Sequence, residues 1–254
     1  MGHVLALTAV VGFVLLGFWQ LRRHEERRAL DQRVAERIEL TPIPFEHVLA
    51  EADRDPASIE FRQTVAAGTY LTDEEVILQA RTFDGRSGHE VLTPLLLPGG
   101  TAVIVDRGWV PIDVEGPPVA GAEPPTGGVT VTGYVRTQQT RQGLGPVDPA
   151  EGELDRVSRV DIDRLARQIG TTLEPVWIQL AGQEPTQAAG FPLALRPPEP
   201  GGGPPHLGYA AQWFIFAGIV VIAYPVLMRR TADRGSDRQK PRRVRVATEP
   251  EDTS

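Results

Sequence analysis

"VLALTAVVGFVLLGFWQLRRHEERR" (residues 4–28) decides the fold, because an unbroken apolar run meets a burst of charge. Residues 4–21 are 18 residues without a charge. As a helix at about 1.5 Å per residue they reach roughly 27 Å, enough to cross a hydrocarbon core with slight thinning or with Trp19 anchored at the interface. Arg22, Arg23, Arg27 and Arg28 set where the span stops, since each would cost about 2.5–3.5 kcal/mol near a bilayer centre. Met1-Gly2-His3 supplies no basic n-region, and no small-x-small cleavage site follows the run. A retained anchor is therefore expected rather than a cleaved signal peptide.

A second island, "YAAQWFIFAGIVVIAYPVLM" (209–228), has 20 uncharged residues and as a helix reaches roughly 30 Å. Two transmembrane helices, 4–21 and 209–228, thus flank a central domain, 22–208, and leave a tail, 229–254. The tail is polar and basic next to the span, which marks the cytoplasmic side, and it is expected to be disordered. Both termini then lie in the cytoplasm of a cell membrane, crossed twice, and the central domain is extracytoplasmic. The arginines at 22–28 point the other way under the same rule. The tail is the better guide, because the cluster borders a long domain where the rule weakens. That conflict implies that the cluster has a reason of its own.

Composition excludes several chemistries. Cysteine is absent, so there is no disulfide framework, thiolate metal site or cysteine nucleophile. The central region carries 18 arginines against 28 acids, a net charge of −10, and is a poor nucleic-acid binder. No G-x-S-x-G, phosphate-binding loop or dinucleotide fingerprint occurs. The five histidines form no i, i+4 pair, and "HEERR" (24–28) lacks the second histidine of a zincin helix. A hydrolase or NTPase is therefore disfavoured. Lys240 is the only lysine beside 25 arginines, which reads as the codon bias of a GC-rich genome.

Residues 24–40 have helical propensity, with Leu30, Val34 and Ile38 at i, i+4 spacing, and predict a helix leaving the membrane that Pro42 and Pro44 end. Strands are predicted over 62–70, 75–82, 90–97, 101–109, 129–137 and 176–180, bounded by glycine and proline turns. Their spacing argues for an antiparallel sheet or partial barrel. "DIDRLARQIG" (161–170) predicts one short helix, capped by Asp161 and ended by Gly170. "RPPEPGGGPP" (196–205) is a linker. The fold class expected is a two-span α+β membrane protein, with a β-rich antiparallel extracytoplasmic domain and one or two short helices.

Two places hold candidate site residues. "VIVDRGWVP" (103–111) ends an apolar strand on Asp106-Arg107. It reads either as a strand exit, with Trp109 covering the core, or as a partner-binding surface using Arg107 and Trp109. "HLGYAAQWF" (206–214) opens the second span. If helical from His206, Tyr209, Ala210 and Trp213 share its face. An aromatic belt at the headgroups explains them without a ligand. Yet Trp19-Gln20 ends one span and Gln212-Trp213 starts the other, and a glutamine inside a span needs a partner or a ligand. With the tail inside, these four residues, His206, Arg22 and Arg23 would lie at one membrane face.

Taken in order, "GFWQLRR" (17–23), "GTYL" (68–71), "GHEVLTPL" (88–95), "VIVDRGWVP" (103–111), "VTGYVR" (131–136) and "HLGYAAQWF" (206–214) resemble the surfeit locus protein 1 (Shy-type) family. Its members help assemble haem–copper cytochrome c oxidase, and the resemblance is to a bacterial, actinobacterial-type member. It implies a non-catalytic biogenesis factor for an aa3-type oxidase that binds haem a and hands it to the oxidase large subunit, with haem a synthase as a further partner. It also implies that His206 is the haem-iron ligand, the metal contact of the site. Trp19, Gln20, Arg23, Tyr209, Gln212 and Trp213 would line the cofactor site, with Arg23 facing propionates. Departures from the family pattern are Arg27 where lysine is common, the GGGPP run before His206, the arginine-rich tail and the acidic loop at 141–155. A two-span ligand sensor and a haem-free structural anchor are the alternatives. The sensor needs an output module, and the tail offers only a polar stretch of 26 residues.

Overall fold

A computed structural model describes residues 1–141, 143, 145–188, 190–200 and 206–238, with residue 206 and the last eight by backbone only. The tail expected to be disordered lies outside the described residues from 239 onward, and so does the end of the linker, 201–205; over 231–238 the backbone is helical. The chain forms two compact units, residues 1–29 with 203–254, and residues 30–202.

The first unit is a helix pair. Helix α1 (Gly2–Ile38) runs on through the charged stretch as the sequence predicts, and its last residues, from Leu30, belong to the second unit. The partner is α4 (His206–Arg238). Both contain windows long and apolar enough to cross a membrane, and only 6% of each window is buried within the protein. Their contacts run antiparallel. His3 meets Tyr224, with Nδ1 2.7 Å from the phenol oxygen; Phe13 stacks on Trp213 at 5.7 Å; Phe18 meets Phe214 edge-on at 5.5 Å. Gly17 makes the close approach possible, because a Cβ there would sit 2.7 Å from the Phe214 ring. Lipid is as apolar as these side chains, so packing of this kind, and not hydrophobicity, holds such a pair together.

The second unit is a β domain. In chain order it contains β1 (Ile43–Pro44), α2 (Phe45–Glu51), β2 (Gln63–Tyr70), β3 (Val76–Phe83), β4 (Arg86–Leu96), β5 (Ala102–Pro111), β6 (Gly128–Thr137), β7 (Arg156–Val157), α3 (Ile162–Leu165) and β8 (Leu173–Glu184). The sheet order is β1-β2-β6-β8-β5-β4-β3-β7, and β2 also pairs with β4 through Thr69–Leu96 and Tyr70–Leu95. That extra pairing closes five strands into a small barrel. Val103 and Val105 face its interior beside Leu95, Val131, Val135 and Ile178. Ile104, one residue away, faces the opposite side, where α3 and its flanks cover it with Val160, Ile162 and Leu165. With both faces covered, β5 is buried from Ala102 to Val110.

The sheet is mixed, which corrects the expectation of an antiparallel one. β5–β8, β1–β2 and β3–β7 pair parallel. The long connection through α3 brings the chain back to the single slot between β6 and β5. There β8 runs antiparallel to β6, and therefore parallel to β5. The short helix α3 keeps its Asp161 cap, which accepts from the Arg164 amide at 3.0 Å, and turns continue it to Ile169. β1, β7 and α2 have no counterpart among the predicted elements.

Candidate functional site

Strand alternation sends Asp106 and Arg107 to opposite faces of the sheet, so they do not pair with each other. Arg107 enters the end of the barrel interior with its side chain wholly buried. Its Nη1 donates to Glu75 Oε2 at 3.0 Å, and the Thr93 hydroxyl donates to the same oxygen at 2.9 Å. Its Nη2 donates to the Ala122 carbonyl at 2.5 Å and to Gln187 Oε1 at 2.9 Å. The guanidinium lies 5.5 Å from the Tyr70 ring centre, and Glu75 Oε1 accepts from the Val119 amide at 2.9 Å. Burial raises the Tyr70 phenol well above its ordinary range, against the opposing pull of Arg107. One ion pair thus ties two loops to β3, β4 and β5.

On the other face Asp106 meets Glu90. Burial first, and the Glu90 charge second, push the Asp106 carboxyl well above the usual range; burial also raises Glu90, which Arg81 Nε contacts at 3.2 Å. Asp106 also accepts from the Gly108 amide at 3.2 Å. Gly108 has φ +132°, and a Cβ on it would strike the Leu193 carbonyl.

Trp109 is 2% exposed, stacked on Phe83 at 5.7 Å, with Arg86 5.2 Å from its ring centre. Its backbone exchanges two hydrogen bonds with Leu193, at 2.9 and 2.7 Å. Arg107 and Trp109 are therefore interior residues, and the reading of them as a partner-binding surface is corrected. Both terminal nitrogens of Arg107 are bonded within the protein, to Glu75, Thr93, Ala122 and Gln187, and Trp109 holds the 191–193 strap to the sheet. Sequence reasoning missed the residues around them, Glu75, Thr93, Gln187 and Glu90, which come from distant parts of the chain. It also missed His89. Burial, and after it Arg156, whose Nη1 lies 3.2 Å from Nε2, lower the pKa of that imidazole below its usual value.

In the helix pair the seam is marked by Gly17 on α1 and by Ala210 and Ala217 on α4, all buried. At about 100° per residue Gln20 falls near this seam, and it is half-buried. Trp213 lies beside the seam against Phe13 and Phe216. The backbone of His206 starts α4 one turn before Ala210, on the same side; its side chain lies outside the description. Tyr209 is on the flank, 47% exposed. Trp19, Arg23 and Gln212 are exposed and turn away from the seam. Arg23 has Glu26 3.3 Å away. The structure thus brings Gln20, Trp213 and the His206 backbone to one side, and places Trp19, Arg23 and Gln212 on outer surfaces with Tyr209 on the flank. His24, which the sequence reading set aside, is half-buried one turn beyond Gln20 on the same side of α1. No cluster of three His, Asp or Glu that could hold a metal ion occurs among the described residues.

These features define a two-span α+β membrane protein with a small, closed, internally cross-linked β domain. The sequence model of the SURF1 family matches residues 7–218, from within α1 to the first half of the second apolar helix. An uncharacterized SURF1-like protein of Mycobacterium tuberculosis is 26% identical over 230 residues, covering 87% of this chain and 82% of its own. A SURF1-like protein of Monosiga brevicollis is 26% identical over 246 residues (90% and 88%). Surfeit locus protein 1 of Xenopus tropicalis is 25% identical over 190 residues (68% and 59%). The chain belongs to the SURF1 family, known in general as cytochrome oxidase assembly factors.

Proposed function

We propose that this protein is a non-catalytic biogenesis factor for an aa3-type cytochrome c oxidase, and that it holds haem a beside the α1–α4 seam before passing it to the oxidase large subunit. One observation carries the reading: "GFWQLRR" and "HLGYAAQWF", far apart in sequence, end up at the same end of one antiparallel helix pair, where Gly17 and Phe18 meet Phe214. The residues there fit the group in kind. His206 offers an imidazole for the iron, and the rings of Phe13, Trp213 and Phe216 offer flat apolar walls. Arg22, exposed and without a side-chain partner among the described residues, and Arg23 offer guanidinium groups to propionates. When bound, haem a supplies the redox-active iron that the oxidase needs. Gln20 would steady the site from α1, and Tyr209 from the flank. Trp19 and Gln212 would act from outside the seam.

In this reading the β domain is extracytoplasmic, both termini are cytoplasmic, and the site faces the outer leaflet of the cell membrane. Haem a synthase is then the donor and the oxidase large subunit the acceptor. Deleting the gene in a strain without a paralogue tests the assignment. Haem a content and oxidase activity should fall together, and normal levels of both would overturn it.

A further inference from the structure

The wall of the β barrel has a gap beside α2. β1 pairs with Thr64 and Val65 of β2, and β4 pairs with Thr69 and Tyr70. Among the described residues, the stretch between them is paired along its β6 edge alone. Ala66 and Ala67 lie in that stretch and line a cleft of about 440 Å³, a size ordinary for binding clefts. Phe45 and Leu49 of α2 line it too, with Leu97 and Pro98 from the turn between β4 and β5. Leu49 and Leu97 are half-buried against the barrel core, so the cleft is a continuation of that core to the surface. Its charge is of one sign. Glu46 and Glu174 line it, and no basic residue does. Half-buried Glu60 and Glu90 each have an arginine beside them, whereas half-buried Glu174 has no ion pair among the described residues, and neither has Glu46.

We propose that this cleft takes an extended segment of a partner protein in which a bulky apolar side chain is flanked by arginine or lysine. The segment lies along β2 and uses the backbone groups that β1 and β4 leave free, since alternate residues of a strand direct their N–H and C=O to its second edge. Its apolar side chain fills the space that the small side chains of Ala66 and Ala67 leave beside Leu49 and Leu97. Its cations meet Glu46 and Glu174, which removes charge that the chain itself does not answer. A second copy of this chain is a poor occupant, because residues 22–208 carry 18 arginines against 28 acids and repel their own kind. The inference does not rest on haem binding.

The test titrates the detergent-solubilised full-length protein, made in a host without haem a, with three end-blocked fluorescent peptides. One carries Arg-Val-Leu-Val-Arg, the second has glutamate in place of both arginines, and the third has Gly-Ser-Gly in place of the apolar centre. The first should bind several-fold more tightly than either of the others. Glu46→Gln together with Glu174→Gln should weaken it several-fold, and Ala67→Trp, at an exposed position, should block it while circular dichroism stays unchanged. Equal binding of the Gly-Ser-Gly peptide would reduce the contact to charge attraction. Unchanged binding in Ala67→Trp would place the peptide elsewhere, and 2-phenylethylamine binding as tightly as the peptide would assign the cleft to a small cation. Any of these results, or no binding of the first peptide at millimolar concentration, would overturn the proposal.

Discussion

The two units treat polar groups in opposite ways. In the β domain the most buried charges are answered from within the chain: Arg107 by Glu75, Ala122 and Gln187, and Asp106 by Glu90 and Gly108. In the helix pair, Gln212, Arg22 and Arg23 are exposed, with Arg22 lacking a side-chain partner among the described residues. The domain thus answers the charged ends of its buried pairs internally, while single nitrogens such as Arg107 Nε and His89 Nδ1 stay buried without a partner.

The comparison breaks most easily at Arg107. Arg107→Met leaves Glu75 buried without its cation, and removing one partner of such a pair costs about 3–5 kcal/mol. Chemical denaturation of the detergent-solubilised chain should show that loss, and a change below 1 kcal/mol would mean that the network is not structural. Next is the helix pair itself. Gly17→Leu drives a side chain into the Phe214 ring, an overpacking of about 1–3 kcal/mol. A Phe13→Cys, Trp213→Cys pair that crosslinks in the parent should lose yield in this variant, and an unchanged yield would contradict the packing.

A pH effect sharpens the domain side. Burial raises both Asp106 and Glu90, and the Glu90 charge raises Asp106 further; Arg81 partly offsets this for both, and Arg136 for Glu90. Carboxyls that bind protons more tightly in the folded state stabilise it fully below the ordinary carboxylate range. That contribution is lost as pH rises through their folded values. Denaturation midpoints should fall as pH rises through that range, and Asp106→Asn should flatten the dependence; a rise with pH would contradict the raised carboxyls. The smallest effect is at the surface, where Arg23→Ala removes an exposed i, i+3 pair and should change stability by about 0.5 kcal/mol or less.

How far the sequence was legible follows the same division. Spans and long strands announce themselves locally, through charge-free runs and β-branched runs, and β2, β3, β5 and β6 fall within two residues of their predicted ranges. β1 and β7 are two residues each, too short to carry a period. The parallel placement of β8 depends on which slot in the sheet is free, which no local pattern encodes. Arg107 could be read as a surface residue because its partners lie 14, 32 and 80 residues away. Trp109 misled for the same reason, since Leu193 pairs with it from the far end of the domain. In the helices, the motifs predicted a shared end correctly, but only the seam defined by Gly17, Ala210 and Ala217 separates Gln20 and Trp213 from Trp19, Arg23 and Gln212.

The most direct test of the central claim is an absorption spectrum of the full-length protein, purified from a host that makes haem a, beside its His206→Ala variant. The account predicts bound haem a in the parent and loss or a marked shift of the haem bands in the variant, with both proteins equally folded by circular dichroism. A parent without haem, or a variant with an unchanged spectrum, would contradict it.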